Sequence, residues 1–137
     1  MKPGGQSLLE LAICLPIVLA LALGAAAMVR LADARSGLDG ATAAAVADAA
    51  RQSSVDAAST CAQRRFQAIA AGYGLTAPRL ILSGGFERGS MYTATGAASA
   101  DLSFVPLAFL PRTVPLTSQA QAWVEPWRSR AGQPCAG

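Results

Sequence analysis

Gly4-Gly5-Gln6-Ser7-Leu8-Leu9-Glu10 opens this chain and runs directly into residues 11–29, which form a stretch of nineteen residues without a charge. At the helical rise of about 1.5 Å per residue, this stretch is ~28 Å long, close to the ~30 Å hydrocarbon core of a bilayer. The sequence therefore predicts one membrane-spanning helix near the N-terminus.

The order of residues around this helix resembles a known processing signal. A short basic leader ends at Gly5, a small polar stretch follows, and Glu10 would be the fifth residue after a cut at Gly5. This pattern resembles the class III signal of the type IV pilin superfamily. The continuation, with residues 5–12, Leu15-Pro16 and an Ala-rich stretch, is similar to TadE-like minor pseudopilins of the tight-adherence (Flp) pilus.

The resemblance implies how the chain is processed and where it works. A prepilin peptidase would cut between Gly5 and Gln6, so residues 1–5 are a leader, 6–30 a transmembrane helix and 31–137 a periplasmic α+β domain. The protein would be a single-pass component of the bacterial inner membrane that helps to assemble a type IVc pilus used in adhesion and biofilm formation. Its partners would be other pilins and pseudopilins, the peptidase and the inner-membrane assembly machinery. Many pilins have Phe after the cut, where this chain has Gln6.

Glu10 is a lone carboxylate at the entrance to the apolar helix. A charge moved toward the bilayer centre costs about 2.5 to 3.5 kcal/mol, so a compensating partner is expected. Cleavage after Gly5 would create an ammonium at Gln6, and this group could pair with Glu10 of a neighbouring subunit in an assembly. The alternative is that Glu10 lies at headgroup level, where the N-terminal end of the helix dipole favours an acid.

A conventional secretory signal is the main competing interpretation. Ala25-Ala26-Ala27 has the form of a signal cleavage site, and it would release a secreted or membrane-anchored envelope domain with a binding role. Against this, Lys2 is the only basic side chain before the apolar run, and Glu10 and Pro16 interrupt it. A lipoprotein signal at Cys14 is weaker, because the apolar run follows this cysteine. Cys14 is interpreted as a small apolar residue of the membrane helix.

Cys61 and Cys135 are the only cysteines outside the apolar helix. In an oxidising periplasm a disulfide between them would tie the C-terminal tail to the helical region, and the loop of ~75 residues would be worth roughly 4 kcal/mol. The alternative is two separate buried thiols. With no His and no C-x-x-C, a metal or redox site is not expected.

The expected fold class is α+β and pilin-like, and it begins with two helices. The first continues from the membrane through the Ala-rich residues 41–51 and is weakened locally by Gly37 and Gly40. It breaks at residues 52–54, where Ser53 and Asp56 have the spacing of a helix cap. The second helix runs to about residue 71. Its core-facing stripe, at three- and four-residue steps, consists of Ala62, Phe66 and Ile69, with Tyr73 just beyond.

Four short strands are expected after Pro78, and they should form a small antiparallel sheet that packs on the second helix. They are predicted at residues 80–82, 91–95, 100–105 and 116–125, with Gly96 among the separators.

Two apolar features have an open interpretation. Residues 105–111 either cover the sheet as a lid or offer an exposed patch to a partner. Trp123 and Trp127 either pack at the sheet edge or form an interface.

Catalysis and nucleic-acid binding are both unexpected. The chain has no His, no G-x-S-x-G, no P-loop and no dinucleotide fingerprint, so neither an enzyme activity nor a cofactor is predicted. The formal charge of +3 is weak, and the basic residues alternate with acidic ones, so a nucleic-acid partner is not predicted either.

Overall fold

A computed structural model describes residues 3–104, 111–125 and 135, with side chains from residue 8 onward. Its first element, α1, is one helix over Pro3–Ala50. The alanines of this segment favour a helix because they lose no side-chain entropy on folding. Pro16 lies inside α1 and cannot donate a hydrogen bond to the carbonyl of Ala12, yet the helix continues on both sides.

The helix also continues through Gly37 and Gly40, where the sequence predicts a local weakness. Gly37 is buried, and a Cβ atom built on it would lie 2.6 Å from Cδ1 of Tyr73. This glycine therefore lets the Tyr73 ring approach the α1 backbone, and the close contact offsets its low helix propensity. Gly40 has open space around it.

The second helix, α2, spans Val55–Gly72. The break before it is where the sequence predicts it, but the cap is Ser54 rather than Ser53, because the Ser54 side chain accepts a hydrogen bond from the Ala57 N–H. Ala62 and Phe66 of the expected stripe are fully buried, and Ile69 packs against the core while partly exposed.

Within the described residues three strands follow, and they form one antiparallel sheet in the order β1-β2-β3. The strands are β1 over Thr76–Gly84, β2 over Met91–Asp101 and β3 over Thr113–Trp123. The prediction of four strands is wrong, because β2 contains the whole second predicted strand, residues 91–95, continues through Gly96 and includes the first two residues of the third, 100–101. The α+β, pilin-like fold class is confirmed. We call the part of the molecule formed by the sheet, α2 and the end of α1 the head.

Gly96 explains why β2 is continuous. It lies in the middle of β2, buried against both helices, and a Cβ atom there would clash with Thr42 and approach Cε2 of Phe66 to 2.9 Å. A glycine in a strand can mark close packing instead of a turn, and here it does. The buried residues of β2 alternate with half-buried ones along the whole strand.

The core lies between the sheet and the two helices and contains many alanines. Phe66, Leu38 and Val46 are its largest side chains of very low exposure, together with Val124 after β3. Because alanine is small, the helices can lie close to the sheet, and there is little volume for an additional side chain.

We therefore expect Gly96→Val to destabilise the protein by about 1–3 kcal/mol through overpacking against Phe66. Ala97→Val is the matched control, because Ala97 is the next residue of β2, is half-buried and belongs to the alternate set of β2 positions. Thermal unfolding of the detergent-solubilised chain, followed by circular dichroism, measures both. Equal stability of the two variants would contradict the close packing at Gly96.

Candidate functional site

The N-terminal part of α1 has an apolar surface on all sides. Every side chain from Leu8 to Ala22 is exposed, and the large ones are all more than half exposed. The helix is long and apolar enough to cross a membrane. Since apolar side chains on every face of a helix are favourable only where lipid or protein surrounds them, this segment needs an apolar environment.

Glu10 lies near the start of this exposed apolar segment. Its side chain is exposed, its neighbours Leu9 and Leu11 are exposed leucines, and no ion pair joins it to another described side chain. Gln6 precedes it by four residues in the same helix, which places the two positions on one face, about 6 Å apart along the axis. The predicted cleavage position, between Gly5 and Gln6, also falls within α1.

Counting from the N-terminus, Leu23 and Ala27 are the first residues of α1 that contact the sheet part of the head. Ala27 is buried with Leu102, which directly follows β2, and both pack with Leu23 and with Val114 of β3. The predicted boundary between residues 30 and 31 lies one helical turn beyond Ala27, with no break in the helix.

Arg30 connects this junction to the turn after α2 and also pairs with an acid on its own helix. Its Nη2 donates a hydrogen bond of 3.3 Å to the carbonyl oxygen of Gly74, and its Nη1 lies 3.6 Å from Oδ2 of Asp33. Gly74 has a φ of +61°, and a Cβ atom there would lie 2.9 Å from Arg30 Nη2, so a glycine suits this turn on both counts.

Asp101 carries a fixed negative charge at the same junction. Ser103 donates from its backbone N–H to Asp101 Oδ1 at 2.8 Å and from its hydroxyl to Oδ2 at 3.1 Å. These two hydrogen bonds lower the pKa of Asp101 below its ordinary value, and the positive charge of Arg30 adds a smaller lowering. The turn after β2 is thus held by its own side chains.

Cys61 and Cys135 lie at disulfide distance, with their Cα atoms 5.1 Å apart. Cys61 is buried on α2, so a bond there would attach the C-terminal segment to the middle of that helix. Cys14 is a free, exposed cysteine in the apolar segment. Within residues 3–104, 111–125 and 135, no cluster of three or more His, Cys, Asp or Glu side chains could hold a metal ion.

The structure answers only some of the questions about the two tryptophans and the apolar segment 105–111. Trp123 is 63% exposed at the end of β3, so it does not pack into the core. Trp127 and residues 105–110 lie outside the described residues. The hydrogen bond of Arg30 was not predicted, because its partner Gly74 is 44 residues away in sequence; the available signal was a glycine two residues after the end of α2.

An apolar helix that continues into an α+β head defines a pilin-like class of protein. The family model described as TadE-like protein matches residues 5–62, from the predicted cleavage position into α2. The resemblance to the TadE-like family is confirmed over this segment. Comparisons with curated proteins and with solved structures give no match.

Proposed function

We propose that this protein is a minor pilin or pseudopilin that takes part in the biogenesis or assembly of a tight-adherence pilus, and so in adhesion and biofilm formation. In this role α1 spans the bacterial inner membrane once, the head is periplasmic, and the subunit either remains in the membrane or enters the pilus. The role is structural rather than catalytic and uses no cofactor. Its partners are other pilins and pseudopilins, the prepilin peptidase and the inner-membrane assembly machinery.

The unbroken course of α1 is the observation that best supports this proposal. A secretory cleavage near Ala27 would remove Leu23 and cut the helix at the point where it packs on Leu102. A cut between Gly5 and Gln6 would leave those contacts in place and keep the apolar segment attached to the head. Retention of the apolar helix is what a pilin-type subunit requires.

Glu10 supplies the specific assembly contact in this proposal. After the cut, the new ammonium of Gln6 lies at the same end of the helix as Glu10, so subunits staggered along their axes bring the ammonium of one to the carboxylate of the next. In an apolar environment each charge stabilises the other, whereas an isolated charge there is costly. The exposure of Glu10 in the single chain leaves its carboxylate accessible to a neighbouring subunit.

Processing at Gly5 is the direct test. We expect Gly5→Leu to leave the precursor uncut, because the peptidase must accommodate a small residue before the scissile bond. Gly24→Leu is the matched control, since it makes the same change in the same helix at a position with open space around it. It should be cleaved normally.

Intact mass and N-terminal sequencing of membrane-extracted protein measure the outcome. The wild type should begin at Gln6 and have lost only residues 1–5. A mature chain that begins near Met28 would reject the proposal and support release by a secretory signal.

A further inference from the structure

The end of the head that meets α1 carries one exposed aromatic side chain and charged side chains of both signs. We call it the junction end and define it by Leu102, Phe104 and Val114 together with Leu23 and Ala27 of α1. Leu102 and Ala27 are buried against each other, while Phe104, two residues after Leu102, is 48% exposed. An exposed aromatic residue therefore follows within two residues of the contact between the head and the apolar helix.

The length of the apolar helix determines the depth of this end in a membrane. Ala27 lies nineteen residues after Leu8, and at about 1.5 Å per residue this is ~28 Å. If the apolar segment fills a hydrocarbon core of ~30 Å, Ala27 lies at its outer boundary. Leu102 contacts Ala27, so the junction end lies at the same level.

The course of β2 shows that the rest of the head points away from the membrane. Leu102 packs near Ala27, whereas Gly96 lies against Thr42, fifteen residues further along α1. β2 thus runs antiparallel to α1. Its other end, where Met91 pairs with Trp123, is about 33 Å from the junction end at the rise of a strand.

Charged groups at the junction end fit a headgroup layer better than a protein partner's apolar surface. Arg30 follows Ala27 by three residues on α1, and Arg112 is exposed where its carbonyl accepts the Leu102 N–H. A Phe side chain can enter the boundary between headgroups and acyl chains, while an Arg beside it keeps its charged head in the polar layer. The turn that leads to Phe104 is held by the hydrogen bonds between Ser103 and Asp101, so the backbone just before this residue is ordered by its own side chains.

We propose that the junction end of the head docks on the outer surface of the bilayer, with Phe104 inserted into the boundary between acyl chains and headgroups. The inference rests on the proposed insertion of α1 and adds a second, peripheral contact with lipid. This contact fixes the orientation of the head relative to the membrane before the subunit meets other pilins.

Tryptophan quenching by brominated lipid tests the proposal on the full chain reconstituted in vesicles. Trp123→Phe with Trp127→Phe gives a background without tryptophan, into which Phe104→Trp is introduced. The expected result is a blue-shifted emission and a loss of intensity with brominated phosphatidylcholine close to that of a Val18→Trp reporter in the apolar segment. Arg112→Trp is a second reporter at the junction end, for use if the first variant does not fold.

Native Trp123 is the matched control. In a chain that carries only Trp127→Phe, Trp123 is exposed at the far end of the head and should be neither quenched nor blue-shifted. Quenching at Val18→Trp without quenching at Phe104→Trp and Arg112→Trp would overturn the docking inference and leave the membrane span intact. No quenching at any position would overturn the span as well. Quenching at Trp123 to the same degree would overturn the end-on orientation.

A blue-shifted but unquenched emission at Phe104→Trp would also overturn the inference. It would mean that protein, such as a second copy of the chain, covers the ring instead of lipid.

Discussion

Replacement of Glu10 by alanine or glutamine is expected to abolish pilus assembly while membrane insertion and cleavage proceed. Removing the charge makes the helix more apolar, so insertion is not impaired. The ammonium of a neighbouring Gln6 would then lack its partner in an apolar environment, where an unpaired charge costs several kcal/mol. Glu10→Gln keeps the size and polarity of the side chain and removes only its charge. Loss of pilus assembly in this variant would therefore show that the charge, and not the shape, of Glu10 is required.

Capture of other pilins by crosslinking, together with a count of surface pili, measures this effect. Asp39→Asn is the matched control, because Asp39 is an exposed carboxylate of the same helix beyond the apolar segment, and it should behave as the wild type. Normal partner capture and normal piliation in both Glu10 variants would remove the case for this residue in assembly.

The second large effect is expected at the cysteine pair. Cys61→Ser or Cys135→Ser should lower the free energy of unfolding by about 4 kcal/mol, because the cross-link closes a long loop and restricts the unfolded chain. Wild-type protein should migrate faster on a non-reducing gel than after reduction, and either substitution should remove the difference. Cys14→Ser is the control and should change neither migration nor stability, since Cys14 lies free in the apolar segment.

Thermal unfolding with and without reductant completes this test. Reduction should bring the wild type to the stability of the single variants and leave the variants unchanged. Titration of two reactive thiols besides Cys14 in protein taken from the periplasm would rule out the bond.

The features that the sequence predicts well depend on local chemistry. The apolar helix follows from residues 11–29 alone, and the break before α2 follows from the serines that can cap it, although the cap lies one residue later than expected. Residues 100–101 belong to a strand as predicted, but that strand is the same one that contains Met91.

The features that it misses depend on contacts between distant residues. Glycine is common in turns, so the sequence predicts a turn at Gly96. Only the close approach of Thr42 and Phe66 shows that this glycine is needed for packing inside a strand. The hydrogen bond of Arg30 to Gly74 joins residues that no local spacing relates. The assembly role of Glu10 depends on a second chain, so it follows from family resemblance and chemistry rather than from this fold.

The continuity of α1 also has a mechanical consequence. A pull on the head reaches Glu10 through the continuous helix between Ala27 and Glu10, which is ~26 Å long and contains no flexible linker. Pro16 removes one backbone hydrogen bond, so the turn that contains it should be the first to extend under tension along the helix. Assembly machinery that binds the head can therefore pull the apolar segment out of lipid directly. The force is transmitted along the continuous helix, and the turn at Pro16 is where the helix deforms most easily.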